Sequence, residues 1–177
     1  MPFIPVVEGD GETARVSDWT RWDRWMGPVL DGSAFKDLPR GPVPIPHFYL
    51  PFHENYPAKI KDHYARPEFF EDRPRGGDGK FDYEAWKDHV AEHDVDIRDG
   101  FDSAWSAAAR AVAGQWRQHF IEKGWTGTQF QIFCNNKHYF RNPDGSGSYA
   151  KATSLWTLDE PSYGRDFRAL ATIYRAF

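Results

Sequence analysis

Residues 102–134 read DSAWSAAARAVAGQWRQHFIEKGWTGTQFQIFC, and the fold turns on how this stretch divides. From Asp102 to about Lys123 the apolar residues Trp105, Ala109, Val112, Trp116 and Phe120 fall four, three, four and four apart, which is one face of a helix. Gly124 supplies a stop, because glycine readily takes the left-handed conformation that ends helices. Thr128 to Cys134 then reads as a strand rich in aromatic and β-branched residues.

Upstream, Ile45 to Phe52 reads as another strand, weakened at both ends by proline. Residues 39–46 hold four prolines and form a connector into it. Near the N-terminus a short apolar piece, Phe3 to Val7, is followed by the turn Glu8-Gly9-Asp10-Gly11. Ser17 or Asp18 can cap a helix carrying Trp19, Trp22 and Met26, which Gly27-Pro28 is expected to interrupt. Residues 65–80 are charged and rich in glycine and proline, a surface loop, and Asp82 can start a helix reaching about His93. Downstream, Asn142-Pro143-Asp144-Gly145 lies in a polar loop and Ser154 to Asp159 reads as a further strand, ended by Glu160-Pro161. A last helix from about Asp166 places Phe167, Leu170, Ala171, Tyr174 and Phe177 on one face.

Strands separated in sequence by helices imply a parallel sheet. Three strands are clear, four with the N-terminal piece. A full (β/α) barrel needs eight strands and usually ~250 residues. The expected fold is therefore α/β, a TIM-like (β/α) barrel of which this chain supplies about the first half. Residues 1–44 lead into it and 45–177 form the partial barrel. Half a barrel exposes open sheet edges, so poor stability of the isolated chain is expected.

Composition excludes several classes. The 177 residues are 40% hydrophobic and 17% aromatic, with 8 Trp, too apolar for a disordered chain. A net charge of −4 and a pI near 6.0 argue against nucleic acid bound through bulk charge. No segment approaches the ~18–20 apolar residues of a membrane span. The first residues, Met1 to Pro5, lack the basic region and apolar run of a signal peptide, which implies a cytoplasmic chain or one whose beginning lies elsewhere. A secreted or periplasmic parent fits equally well. The single cysteine, Cys134, forms no intrachain disulfide and reads as a small buried side chain.

Polar clusters follow each of the three expected strands: His53-Glu54-Asn55, Asn135-Asn136-Lys137 and Asp159-Glu160. Parallel α/β folds gather their active sites at the carboxyl ends of strands, so this coincidence points to an enzyme. Asp159 and Glu160 are the catalytic candidates. Glycoside cleavage needs an acid for the leaving oxygen and a second group to stabilise the cationic sugar. Most glycosidases set two carboxylates on different strands. An adjacent pair suits substrate assistance instead, in which Glu160 is the acid and Asp159 orients a 2-acetamido group that attacks the anomeric carbon. A strand-end pair capping the next helix has the same composition. His53, Glu54 and Asn55, with Asn136 and Lys137, suit recognition of sugar hydroxyls, Glu54 being a reserve carboxylate; loop capping and turn formation use the same residues. Trp156 and Tyr163 flank the carboxylates and are the aromatic candidates for substrate contact. Trp105 and Trp116 belong to a helical core face, and Trp19, Trp22 and Trp25 to helix packing.

The stretch Ser154-Leu155-Trp156-Thr157-Leu158-Asp159-Glu160-Pro161 resembles the strand carrying the catalytic Asp-Glu pair of family 123 glycoside hydrolases and their barrel relatives. Phe48 to Pro57, Asn135-Asn136-Lys137 and Gly27 to Phe35 are similar to other segments of that group, and the resemblance spans about residues 18–177. It implies β-N-acetylgalactosaminidase-type hydrolysis with retention through an oxazoline-like intermediate. Asp159 then orients the acetamido group and Glu160 is the general acid/base. No cofactor and no metal are implied; the partner is an oligosaccharide or glycoconjugate, together with the remaining barrel half of a parent protein.

Three rivals remain open. One is a two-carboxylate retaining glycosidase of the same fold with Glu160 as acid/base. Another is a non-catalytic glycan-binding or structural relative. The third is a zinc peptidase, since His89-Val90-Ala91-Glu92-His93 matches the inverted zinc pattern, although no third ligand is evident. Gly76-Gly77-Asp78-Gly79 has no strand before it and fails as a phosphate loop.

Overall fold

A computed structural model describes residues 4–64, 77, 82, 85, 96–134, 137–141, 148–152, 156, 158–161 and 163–177. The elements are β1 (Val6–Glu8), β2 (Arg15–Asp18), α1 (Thr20–Leu30), β3 (His47–Leu50), α2 (Ser103–Glu122), β4 (Gln129–Ile132), β5 (Lys137–Arg141), β6 (Ser148–Ala152) and α3 (Gly164–Tyr174). They make three two-stranded sheets: β1 with β2 antiparallel, β3 with β4 parallel, β5 with β6 antiparallel. Among the described residues there is no closed barrel.

The centre of the fold is one strand–helix–strand unit, β3–α2–β4. Asp102 opens α2 by accepting from the Ala104 N–H at 2.8 Å, and Gly124 closes it with φ of 71°. In the parallel pair His47 lies opposite Gln129 and Leu50 opposite Ile132. Both strands are shorter than their sequence pattern. Pro46 and Pro51 bracket β3, and proline cannot donate to a ladder. β4 pairs as far as Ile132, opposite the last residue of β3, and beyond it the Cys134 N–H donates to the Tyr174 hydroxyl at 3.4 Å.

Burial falls into two clusters. One joins Trp22, Met26 and Leu30 of α1 with Phe52, Val112 and Trp116, so described residues before position 44 share a core with those after it. The other joins Ile60, Ile97 and Trp105 with Trp156, Leu158 and Ile173. Trp116 sits between elements: its ring lies 5.0 Å from Trp19, 4.5 Å from Trp22, 5.6 Å from Phe52 and 5.5 Å from Phe120. Its indole N–H donates to the Tyr56 hydroxyl at 3.3 Å. Gly32, with φ of 86°, lets the proline connector fold back, since a Cβ there would meet the Pro42 carbonyl oxygen at 2.6 Å.

Several expectations need correction. Gly27-Pro28 does not interrupt α1, which runs through to Leu30. Pro28 costs the helix only the one bond its missing N–H would make to the Arg24 carbonyl, and Asp31 N–H still reaches Gly27 O at 2.9 Å. Gly27 serves packing: a Cβ there would come 3.2 Å from Trp125. Trp25 is exposed on the far side of the helix, not packed. The segment read as a polar loop after residue 136 contains the antiparallel pair β5–β6, with Lys137 opposite Ala152 and Arg141 opposite Ser148. The strand expected at 154–159 is absent from its described residues, where Trp156, Leu158, Asp159 and Glu160 lie in bends. On α3 the buried face is Ala169, Ile173 and Ala176, whereas Phe167, Ala171 and Tyr174 face solvent. Two overlapping stripes share Leu170 and Phe177, and apolar spacing alone chose the wrong one. Of the helix expected at 82–93, Asp82 accepts from Ala85 N–H at 3.0 Å; His89 and His93 lie outside the described residues.

Two polar clamps hold the periphery. Asp23 reaches His119 and Lys123, each at 2.7 Å, and the His119 ring stacks on Trp19 at 4.1 Å, tying α1 to α2. Asp96, buried, accepts from the Arg98 backbone and guanidinium and from the Arg168 guanidinium of α3. The Arg98 hydrogen bonds hold its carboxyl well below the usual 3.8.

Replacing Trp116 with alanine is expected to cost about 3–5 kcal/mol, as for buried aromatic truncations generally, and chemical denaturation measures it. Asp96→Asn is expected to cost about 1–3 kcal/mol near neutral pH. Because the folded carboxyl titrates lower than the unfolded one, its contribution is present above the unfolded value and disappears as pH falls through the folded value. Melts of wild type and Asp96→Asn therefore converge in acid, and a constant gap down to the acid limit would contradict the charge-assisted origin.

Candidate functional site

The parallel pairing of β3 and β4 sends both carboxyl ends in one direction, which sets the His53-Glu54-Asn55 cluster after β3 on the side where Cys134 follows β4. After β3 the chain makes a tight reversal. His53 and Tyr56 exchange backbone hydrogen bonds at 3.3 and 3.0 Å, and the Tyr56–Pro57 peptide is cis. The Asn55 N–H donates to His53 Nδ1 at 3.1 Å. That acceptor role places the proton of a neutral His53 on Nε2. The ring is also 3.9 Å from the Glu54 carboxylate.

Glu54 is fully buried, at 0% exposure. Its carbonyl oxygen accepts from Ile60 N–H at 2.9 Å, which fixes the loop under the carboxylate. A carboxylate so placed is unusual, because acidic side chains are seldom fully buried without a specific setting. The neighbouring Cys134, after β4, feels it. Burial pushes the thiol up to about 12, with the Glu54 charge adding to the effect. Cys134 is therefore an inert, protonated side chain at neutral pH, as a structural role requires. Tyr174 of α3 completes this corner by donating to the Ile132 carbonyl oxygen at 3.0 Å and accepting from Cys134 N–H. Its phenol is also pushed up, first by burial and then by Cys134, with the Tyr49 phenol a smaller neighbour.

Asp159 and Glu160 come off the core through Leu158, buried in the same cluster as Cys134, Trp105 and Ile173. Asp159 is half-buried and Glu160 exposed, so two adjacent carboxyl groups meet different surroundings. Neither caps α3. That helix starts at Gly164, and Asp166 closes its first turn by accepting from Tyr163 N–H at 3.0 Å. Tyr163 is exposed with the Arg165 guanidinium 4.5 Å over its ring, an aromatic surface available next to the pair. Trp156 is different: it is 1% exposed and meets Tyr64 edge-on at 5.4 Å, so it is a core residue and not a contact surface for a ligand. Asn136 lies outside the described residues, and Lys137 is placed only as the first residue of β5.

A cavity of about 440 Å³ lies elsewhere, between α2 and the inner strand faces, lined by Phe52, Trp116, Phe120, Phe130 and Phe177. It contains no carboxylate and belongs to the packing of the helix on the sheet. Among the described residues no group of three or more His, Cys, Asp or Glu is arranged to hold a metal. Also among them, no helix is long and apolar enough to cross a membrane. The burial of Glu54 went unread in the sequence, where His53-Glu54-Asn55 looked like an ordinary polar loop; the flanking apolar residues Phe52 and Tyr56 were the available signal.

Comparison with family models finds no match, and comparisons with curated proteins and with solved structures find none either.

At pH 8 the native Cys134 thiol should be ionised to roughly one part in ten thousand, against about a tenth or more in the unfolded chain. Alkylation by iodoacetamide is expected to be at least about a thousandfold slower in the native chain than in urea. Comparable rates in a chain shown to be folded would contradict the buried corner.

Proposed function

We propose that the chain belongs to a glycoside hydrolase acting on 2-acetamido sugars by substrate assistance. The observation that carries the proposal is the state of Asp159 and Glu160. They are adjacent, differently exposed and anchored by Leu158 in the core. The fold enters the same proposal: β3–α2–β4 is a parallel unit of the kind a (β/α) barrel repeats, and a barrel of which this chain is about the first half would gather the strand exits on one side. The resemblance of residues 154–161 to the Asp-Glu strand of family 123 glycoside hydrolases supports it as well.

In this mechanism Glu160 gives its proton to the departing glycosidic oxygen while the substrate's acetamido oxygen attacks the anomeric carbon. The C–O bond to the leaving group breaks and an oxazoline-like ring closes. Asp159 accepts from the acetamido N–H and stabilises the positive charge that develops on that group. Glu160, now a carboxylate, takes a proton from water as it attacks the same carbon, opening the ring with overall retention. The exposed setting of Glu160 leaves it open to a water molecule, and the more enclosed setting of Asp159 suits a fixed orienting contact.

A second reading is favoured by the burial of Glu54. Two carboxylates from different parts of the chain, Glu54 after β3 and Glu160 before α3, would serve a retaining glycosidase that needs no acetamido group.

Hydrolysis of nitrophenyl glycosides with and without the 2-acetamido group decides between them, using the longest soluble form of the protein. Under the first reading Glu160→Gln lowers kcat/KM by about 10²–10⁴ and turnover is confined to acetamido substrates. Asp159→Asn is expected to lower kcat by about 10²–10³, with little change in KM. Turnover indifferent to the acetamido group and abolished by Glu54→Gln would establish the second reading. No turnover by a folded, full-length protein would leave neither.

A further inference from the structure

Parallel sheets in α/β proteins are covered on both faces, and their strands read as continuous apolar runs. β3 and β4 do not. They read HFYL and QFQI, alternating inward and outward. Phe48, Leu50, Phe130 and Ile132 point inward, and the Phe130 ring stacks on Phe120 of α2 at 4.4 Å. The outward row is His47, Tyr49, Gln129 and Gln131, all exposed. The register sets His47 beside Gln129 and Tyr49 beside Gln131. Phe133 continues the row, its ring 5.9 Å from that of Tyr49. Tyr49 is 60% exposed and Phe133 50%.

In the proposed barrel this face, opposite α2, is the lumen side, and its residues are not those of a dry packed layer. The packed interior of a barrel takes branched aliphatic residues, and amides in a dry layer need partners. Among the described residues, the carboxamides of Gln129 and Gln131 make no side-chain hydrogen bond. The row also carries no Lys, Arg, Asp or Glu, so its chemistry matches a neutral ligand. An anion would find no fixed positive charge there, and a purely apolar ligand would leave both amides unmatched. Flat rings beside neutral amides match a pyranose, whose C–H face lies on an aromatic ring while its hydroxyls exchange hydrogen bonds with carboxamides. The row runs toward the carboxyl end of the strands, and Phe133 is the residue before Cys134, where the Glu54 charge is felt.

We infer that the outer face of the β3–β4 pair is a sugar-binding floor, with Tyr49 and Phe133, tilted 56° to each other, each offering a ring to a C–H face of the sugar and Gln131 holding its hydroxyls. The inference rests on the glycan reading above, but binding is measured without turnover, so the two can fail separately.

The experiment is a saturation-transfer NMR titration of the folded protein with the methyl β-glycosides of N-acetylgalactosamine and galactose. The variants are Tyr49→Ala, Phe133→Ala, the double variant and Tyr49→Phe. All the replaced side chains are exposed, so unchanged thermal melts serve as the folding control. Each alanine variant is expected to weaken binding about fivefold to tenfold, roughly the value of one well-made aromatic contact. Tyr49→Phe keeps the ring and is expected to bind within about twofold of wild type. Loss of binding in the double variant supports the floor even if no variant, nor wild type, hydrolyses anything; the hydrolase reading would then fall alone. Equal binding by wild type and the double variant, or no binding of either glycoside by wild type, overturns the floor.

Discussion

The core cluster that joins α1, the β3 exit and α2 hangs on the contacts of Trp116. Its indole touches α1 through Trp19 and Trp22, the β3 exit through Phe52 and Tyr56, and its own helix through Phe120. An edge-to-face arrangement of this kind fixes ring orientation as well as distance, because the ring quadrupoles favour an edge against a face. The N–H that a buried indole must satisfy goes to the Tyr56 hydroxyl, and burial raises that phenol to about 12, so it stays a neutral partner over the whole physiological range. One side chain thereby fixes the angle between two helices and the position of the loop that carries Glu54.

The consequence reaches the candidate site through the loop after β3. Phe52 and Tyr56 are both in the aromatic cluster, and Glu54 lies between them in sequence. Holding the two aromatic residues inside draws the carboxylate inside too, beside Cys134 at the end of the neighbouring strand. Such a position costs solvation, which makes it a place where function or a specific partner is more plausible than surface solubility. Asp159 and Glu160 reach the surface from the second core cluster, which also holds Cys134. The two halves of the site are thus coupled by packing rather than by a shared sheet.

The parallel pair explains why one face of this small unit is dry and the other wet. Side chains alternate along a strand, so a run such as QFQI must present two amides wherever it presents two apolar groups to the helix. The inner set meets α2; the outer set, with its aromatic rings, is left facing solvent on the side of the strand exits. Tyr174 adds a further restraint by bonding the Ile132 carbonyl and Cys134 N–H on the edge away from β3, taking the groups another strand would use.

The local chemistry was legible from the chain alone. The five-residue apolar stripe of α2, its Asp102 start and its Gly124 stop appear where the pattern placed them, because a long periodic helix with both end signals leaves little freedom. The adjacency of Asp159 and Glu160 was legible for the same reason: sequence neighbours need no fold to bring them together. Short or degenerate signals were not. The apolar stripes of α3 overlap, so only contact with Ile97 and Trp105 selects Ala169 and Ile173 over Phe167 and Tyr174 as the buried face. The hairpin between residues 137 and 152 looked like a polar loop, since its turn signal outweighs its short strands. Trp156 next to a carboxylate pair looked like a ligand surface and is a core residue, and Glu54 in a polar loop looked exposed and is not. Burial is a property of what surrounds a residue, and those surroundings are assembled from segments as far apart as Trp22, Phe52 and Trp116; that is why periodicity and end signals could be read along the chain, while the placement of each charged or aromatic side chain waited on the tertiary structure.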